Sequence, residues 1–302
     1  MNGKVFGYMP DGRPVHQYEI RNERMVVRVA ELGATLVSCA IDGRDVALGY
    51  DTAEEYLNNV GNMGATVGRY ANRIRNGRFT LNGRAYQLSC NRPPHCLHGG
   101  KIGFHQKLWR VVQYTPQLII LKLHSPDGDQ GFPGNLTVTA TYSLHGTALF
   151  LTYTAISDAD TICSLANHSY WNLAGHNAGH AALCEHVFTL PSIARCELDG
   201  DTVPTGRLCP VAGTVFDLRS GVRLGDMLDN PARLCPPICS FRKVGMCCCR
   251  ALLGYCHGNM DRCTVYAGIF RQWIAEHFGK VWRTVRAAGG LLPRDPAVSR
   301  CA

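Results

Sequence analysis

The chain has 302 residues, of which 46% are hydrophobic, and this is enough for a large core. It contains no long uninterrupted apolar run, so we predict no membrane-spanning helix and no membrane partner. The formal charge of +8 arises within residues 231–302, where 11 Lys and Arg face 3 Asp and Glu, whereas residues 1–230 carry 20 of each kind.

The first predicted elements are a strand and a short helix. Residues 33–41, "GATLVSCAI", form an apolar run that ends at the turn pair Asp42 and Gly43. Residues 52–59, "TAEEYLNN", predict one or two helical turns, and convincing helical periodicity is otherwise nearly absent.

A hairpin is predicted over residues 79–88, "FTLNGRAYQL". Asn82 and Gly83 lie at its centre. This pair accepts the positive φ angles of a type I′ turn, which matches the twist of two antiparallel strands.

The strongest strand pattern is at residues 135–144, "NLTVTATYSL". Leu136, Val138 and Tyr142 fall on one face, with Thr and Ser on the other. A second run at 148–156 follows at once. Period 2 in adjoining runs predicts antiparallel, half-buried strands, and many short strands with Gly, Asn and Asp turns predict one all-β domain, a sandwich or a barrel.

Three segments interrupt the strand pattern with polar residues that a turn alone does not require. They are "GATVGRYANRIRNGRF" (64–79) with Asn72 and Arg73, "CLHGG" (96–100) with His98, and "NHSYWNLAG" (167–175) with His168, Ser169 and Tyr170. A fourth segment, "SPDGDQGFPG" (125–134), is interpreted as a structural turn.

Each of these residues also has a purely structural explanation. Arg73 fits a surface ion pair, His98 fits a hydrogen bond to turn backbone, and His168 fits a satisfied core histidine. Taken together, however, they supply the forked donors, amides, imidazoles and aromatic wall that a hydroxyl-rich neutral ligand requires.

The motifs resemble one family in their order and approximate spacing. "GRYANRI", "LHGG", "DGDQGFPG", "NHSYWNLAG" and "VAGTVFDLR" are similar to segments of the aldose 1-epimerases, also called galactose mutarotases, over roughly residues 5–228. The resemblance implies a large antiparallel β-sandwich of the galactose-mutarotase type. It also implies exchange between the α and β anomers of free aldoses such as galactose or glucose, with no metal and no organic cofactor.

The resemblance also implies roles for single residues. His168 is the expected proton donor, and an imidazole suits this role because it exchanges protons near neutral pH. The expected sugar-binding residues are Asn72, Arg73, His98, Ser169 and Tyr170. Tyr170 and Trp171 are further expected to offer an aromatic surface to the sugar.

The family's catalytic base is missing from this sequence. In the family, a glutamate in an E-T-Q-x-F-P-D motif removes the proton, and an aspartate in a G-x-D-H segment binds sugar hydroxyls. Neither segment occurs here. Glu276 is the only glutamate after residue 230, and its surroundings, "WIAEHFGK", do not match, so we assign no base.

The C-terminal tail, residues 230–302, has its own composition. It holds eight of the 15 cysteines, five of them within residues 246–263, "MCCCRALLGYCHGNMDRC". A zinc site is one interpretation, with "CPPIC" (235–239) as the nearest motif, but three adjacent cysteines cannot readily share one tetrahedral metal. Disulfides are a second interpretation.

A shifted reading frame is the third interpretation of the tail. When codons for residues 294–302 are read one base late, they can give Glu-Thr-Gln-Gln-Phe-Pro-Asp-Ala, the missing base motif. Codons for residues 255–261 at the same offset can give a string similar to the family's "VMEVWT". We therefore predict a mutarotase-like sandwich over residues 1–229 and an out-of-frame tail over 230–302. Without the last strands of the family, the edges of this sandwich are expected to be open.

Two other functions remain as alternatives. The first is a non-catalytic carbohydrate-binding β-sandwich, which needs Arg73 and His98 but no base. The second is a metal- or nucleic-acid-binding tail. The basic residues of the tail are scattered without interleaved aromatics, so we predict no nucleic-acid partner. Residues 1–20 lack the apolar stretch of a secretory signal, which predicts a cytoplasmic protein.

Overall fold

The computed structural model describes residues 3–58, 61–229 and 284–285, so the predictions for the tail lie outside the described residues, apart from that last pair. Within this part of the chain, no helix has the length and apolar character needed to cross a membrane.

Most of the described elements are short strands. In chain order the strands are β1 Lys4–Tyr8, β2 Pro14–Arg21, β3 Met25–Ala30, β4 Thr35–Ile41, β5 Arg44–Asp45, β6 Ala47–Leu48, β7 Thr66–Val67, β8 Arg73–Ile74, β9 Arg78–Leu81, β10 Arg84–Gln87, β11 Cys96–Leu97, β12 Arg110–Thr115, β13 Leu118–Ser125, β14 Leu136–His145, β15 Ala148–Ser157, β16 Thr161–Ile162, β17 Ala166–Asn167, β18 Tyr170–Trp171, β19 Val187–Phe188, β20 Ala194–Leu198, β21 Pro204–Pro210, β22 Val222–Arg223 and β23 Thr284–Val285. The α-helices are α1 Ala53–Leu57, α2 Gly179–Cys184 and α3 Leu224–Asp229, and short 3-10 turns cover Arg75–Gly77, Phe104–Gln106 and Asp129–Gly131.

Two antiparallel sheets form the framework, which makes the described fold all-β as predicted. Strands β1 to β5 build a five-stranded sheet in sequence order, and β12 to β15 build a four-stranded sheet, also in sequence order. The remaining strands pair two by two. These short pairs connect the loops that carry the polar motifs.

One hydrophobic core lies between the two sheets. Its fully buried members come from both, among them Ile20, Val27, Leu36, Leu121, Val138 and Tyr142. Burying each such aliphatic side chain contributes about 1.5–3 kcal/mol, so this shared core is the main source of stability.

The alternation predicted for residues 135–144 is confirmed. Along β14, buried and half-buried residues alternate from Leu136 to Leu144. β14 pairs with β15 over its whole length, from Leu136 opposite Ser157 to His145 opposite Ala148. The two adjoining runs are therefore one long hairpin.

The predicted hairpin at residues 79–88 and the strand at 33–41 are confirmed as well. Asn82 has φ +50° and Gly83 has φ +78°, which are the two positive angles of a type I′ turn. The strand at 33–41 corresponds to β4, which turns into β5 at Asp42 and Gly43.

The short helix predicted at residues 52–59 is α1. Thr52 caps its N-terminus in a capping box with Glu55, which satisfies two backbone N–H groups. Helices α2 and α3 were not predicted. Each has six residues, too few for an apolar face to repeat at helical spacing.

Candidate active site

The segment "GRYANR", residues 68–73, brings the other polar segments together. Arg73 in β8 pairs with Leu97 of β11, the residue before His98. On the other side, Tyr70 forms a parallel bridge with Ser164, and the Ala71 N–H donates to the Ser164 carbonyl at 2.7 Å. Three segments far apart in sequence are therefore neighbours.

Asn72 and His98 form a reciprocal pair. The Asn72 N–H donates to His98 Nδ1 at 3.0 Å, and the His98 N–H donates to the Asn72 carbonyl at 3.1 Å. Because Nδ1 is the acceptor, a neutral His98 ring carries its proton on Nε2. His98 therefore has the structural hydrogen bond that the sequence allowed.

Both members of this pair lie in the left-handed region, with φ +73° for Asn72 and φ +53° for His98. Asn and His adopt this conformation more often than most side chains, but at a cost of about 1–2 kcal/mol each. Such backbone strain is concentrated at functional sites.

The first glycine after His98 is required by packing. Gly99 has φ +91°, and a Cβ at this position would lie 1.8 Å from the Gly68 carbonyl oxygen. Only glycine fits here, so the "HGG" sequence lets the His98 loop lie directly on the "GRYANR" segment.

His168 lies beside His98. The two rings are 5.2 Å apart between centroids and nearly perpendicular, at 84°. The Tyr170 ring lies 5.3 Å from the His168 ring on a tilted plane. We call His98, His168 and Tyr170 the histidine cluster. Its imidazoles are groups that can donate and accept protons in one place.

The backbone of His168 is fixed by two hydrogen bonds. Its N–H donates to the Ala65 carbonyl at 2.9 Å, and its carbonyl accepts from the Gly64 N–H at 3.1 Å. These bonds extend the β7–β17 pair, so the histidine projects from a strand-like segment rather than from a free loop.

The residues next to His168 are more deeply buried. Tyr170 is buried, and its hydroxyl donates to the Gly61 carbonyl at 3.1 Å. Ser169 Oγ and Trp171 Nε1 are buried without a hydrogen-bond partner among the described residues. Trp171 belongs to the main core, so of the two aromatic residues it is Tyr170 that lies against His168.

Asn72 and Arg73 are both half-buried. Asn72 Oδ1 accepts from the Arg73 N–H at 2.9 Å. The two residues are therefore adjacent to the histidine cluster through His98. All six residues predicted for the site consequently lie in one contiguous region.

Arg69 is a residue that the sequence reasoning missed, although it lies in a quoted motif. It is 1% exposed. Its guanidinium donates to the carbonyls of Ser125, Pro126, Pro133 and Gly134 at 2.8–3.1 Å and to the hydroxyls of Ser125 and Thr161. Burial lowers the pKa of Arg69, and the carboxylate of Asp129 opposes that shift.

The loop at residues 125–134 is held from several sides. Ser125 Oγ donates to Asp129 Oδ2 at 2.5 Å, and Lys107 forms an ion pair with the same carboxylate. The Gly134 N–H donates to Asp127 Oδ1 at 2.5 Å. These contacts agree with the interpretation of this loop as a structural turn.

Within residues 3–58 and 61–229, no group of three or more His, Cys, Asp or Glu is arranged to hold a metal ion. A cleft of about 330 Å³ opens beside β1 and β2, with Arg28, Asp45 and His176 among its lining residues, but it contains none of the predicted site residues. The residues predicted for the site therefore lie together at the histidine cluster and away from this cleft.

Comparison with known proteins gives one family. The family model described as aldose 1-epimerase matches residues 16–236. The chain is 40% identical to the galactose mutarotase of Mus musculus over 232 residues, which is 75% of this chain and 67% of that protein. It is 39% identical to the aldose 1-epimerase of Haemophilus influenzae over 221 residues, 70% of this chain and 63% of that protein.

Solved structures agree. The crystal structure of a galactose 1-epimerase from Lactobacillus acidophilus matches with a TM-score of 0.66 and 30% identity, covering 74% of this chain and 67% of that one. An aldose epimerase homologue from C. elegans matches with a TM-score of 0.65 and 31% identity, over 70% and 66%. The matched part thus spans about two thirds of the length of these relatives.

Proposed function

Because the chain belongs to the aldose 1-epimerase family, we propose that its histidine cluster binds a free aldose such as galactose or glucose. The observation that carries this proposal is the edge-to-face contact of His98 and His168 beside Tyr170. It supports a sugar site because two imidazoles, an aromatic ring and the neighbouring Arg73 provide donors, acceptors and an apolar surface together.

In the proposed reaction, His168 gives a proton to the ring oxygen of the sugar while a base takes the proton of the anomeric hydroxyl. The bond between C1 and the ring oxygen breaks, its electron pair stays on that oxygen, and C1 becomes an aldehyde carbon. Rotation about C1–C2 and closure on the other face give the other anomer. His98 contributes a hydrogen bond to a sugar oxygen.

This reaction needs a base, and no residue of this chain is assigned to that role. The sequence lacks the glutamate motif of the family, and a general base contributes typically ~10²–10⁴-fold. We propose that this chain exchanges anomers slowly or not at all. The missing motif also favours the second candidate function, carbohydrate binding without catalysis.

We also propose that residues 230–302 are translated out of frame. The two family motifs that emerge one base late, in the right order, support this proposal. Sequencing of the nucleotides across codons 228–302 tests it directly. A nucleotide sequence that gives neither motif at that offset would refute it.

We also propose that the protein is cytoplasmic. The seven cysteines of the described residues are free thiols, the state that a reducing compartment maintains. Microscopy of a tagged chain tests this, and export of the chain would contradict it.

The function is tested by polarimetry of freshly dissolved α-galactose and α-glucose, together with calorimetric titration of both sugars. We expect measurable binding, slow exchange, and loss of the remaining exchange in His168→Gln. His145→Gln, an exposed histidine at the end of β14, is the matched control and should change neither measurement. Exchange at the rate of a complete family enzyme would contradict the proposal that this chain lacks the base. Absence of binding would contradict the proposal that the histidine cluster binds a sugar.

A further inference from the structure

We infer that Asn167 is a positioning residue that fixes the orientation of His168, a role that rests on the proposed function of that histidine. Asn167 Oδ1 accepts from the Ser169 N–H at 3.1 Å, so its side chain closes a turn around His168. Its Nδ2 donates to the Gly64 carbonyl at 2.9 Å. One amide therefore joins the residue after His168 to Gly64, whose N–H in turn bonds to the His168 carbonyl.

The orientation of this amide follows from its partners. A backbone N–H can only donate, so the atom facing Ser169 is the oxygen, and the carbonyl of Gly64 can only accept, so the atom facing it is the nitrogen. No other terminal amide orientation satisfies both contacts. A carboxylate or an aliphatic side chain at position 167 would lose at least one of them.

Gly64 connects this turn to the rest of the fold. Its N–H donates to the His168 carbonyl, while its own carbonyl accepts from the Leu36 N–H at 2.9 Å as well as from Asn167. Gly64 has φ +71°, and a Cβ there would lie 2.2 Å from the Leu36 carbonyl oxygen. The backbone that receives Asn167 thus leaves no space for a side chain.

A third contact joins Asn167 to the core. Its Nδ2 lies 3.4 Å from the Tyr142 hydroxyl, which itself donates to the Ala34 carbonyl at 2.7 Å. Tyr142 is fully buried in β14. Asn167 therefore links the His168 segment to both sheets. Its replacement should change the orientation of the imidazole while the imidazole itself stays in place.

The test compares three variants of the full chain. Asn167→Ala removes all three contacts, and Asn167→Asp keeps an oxygen for the Ser169 N–H. Asn22→Ala is the matched control, since Asn22 Oδ1 accepts from the Arg24 N–H at 3.0 Å and its Nδ2 donates to the Gly146 carbonyl at 2.8 Å, in a turn that contains no site residue. The readouts are the NMR titration of the His168 ring, galactose binding by calorimetry, and the urea midpoint.

In Asn167→Ala we expect a shifted His168 titration midpoint and galactose binding weakened about tenfold. Asn167→Asp should restore part of the binding, and Asn22→Ala should change neither readout while lowering the urea midpoint. The titration is compared only between the wild type and the two alanine variants, because Asn167→Asp adds a charge beside the ring. Unchanged His168 titration and unchanged binding in Asn167→Ala would show a merely structural residue and overturn the inference. If the wild type binds no galactose, the proposed function fails, and the His168 titration still decides the positioning role.

Discussion

Arg69 and Arg73 lie four residues apart in one motif, yet they occupy two different regions of the molecule. Arg69 is buried and is surrounded by backbone carbonyls of the 125–134 loop. Arg73 is half-buried and lies beside the histidine cluster. The comparison shows that a polar motif can supply the framework of a site and its binding groups from the same short segment.

The largest expected effect comes from replacing the buried arginine. Arg69→Met leaves several buried carbonyls without donors and should lower the free energy of unfolding by about 3 kcal/mol or more. Arg73→Met should cost less than about 1 kcal/mol but weaken galactose binding. Urea denaturation and calorimetry measure the two effects, and equal losses of stability in both variants would erase the distinction.

The next effect is a pH dependence on the framework side. Burial lowers the pKa of His105 to about 4, and this ring lies in the turn whose first residue, Phe104, bonds to the Gly68 carbonyl. The unfolded chain, with a histidine pKa of about 6.5, takes up the proton first as the pH falls. Stability should therefore be complete above pH ~6.5 and decline by about 3 kcal/mol as the pH falls to about 4.

Unfolding free energies measured between about pH 7.5 and about pH 3.5, which bracket the two pKa values, check this. His105→Gln should flatten the curve, whereas the exposed control His145→Gln should keep it. A curve that His105→Gln leaves unchanged would assign the pH dependence to another group.

The smallest changes in stability are expected at two buried serines, one from each region. Ser125 Oγ accepts from Arg69 at 2.7 Å and donates to Asp129, so Ser125→Ala should cost about 1–2 kcal/mol. Ser169 Oγ has no hydrogen-bond partner in the described part of the chain, so Ser169→Ala should change stability by less than about 0.5 kcal/mol.

Sugar binding separates the serines in the opposite direction. Ser169→Ala should weaken galactose binding a few-fold if its hydroxyl meets the sugar as the family resemblance implies, and Ser125→Ala should leave binding unchanged. Thermal or urea unfolding together with calorimetry measures both variants. A large loss of stability in Ser169→Ala would place this hydroxyl in the framework instead.

The elements that the sequence predicted well are those whose signal is local. β14 alternates within ten residues, and Asn82 with Gly83 encodes the hairpin turn without help from other segments. The position of Arg69 was not predictable in this way. Its acceptors lie 56 to 92 positions further along the chain, and four of its six acceptor atoms are backbone carbonyls, which no residue type specifies.

The candidate site shows the same division. Asn72, His98 and His168 were singled out as polar residues in non-strand segments, and the resemblance of their motifs to the aldose 1-epimerases implied their roles. Their arrangement was not, because the Asn72–His98 pair depends on two left-handed residues and on the lack of space at Gly99. The role inferred for Asn167 depends on Gly64, which lies 103 positions earlier.

The separation of these contacts along the chain has a consequence for folding kinetics. β13, β14 and β15 pair with their sequence neighbours, so closing these loops costs little entropy. Val67 must instead find Ala166, across about a hundred residues of intervening polypeptide. In pulse-labelled hydrogen exchange we expect β13 to β15 to become protected first and the His168 segment late. The nascent protein would then have a formed sheet before its ligand site exists.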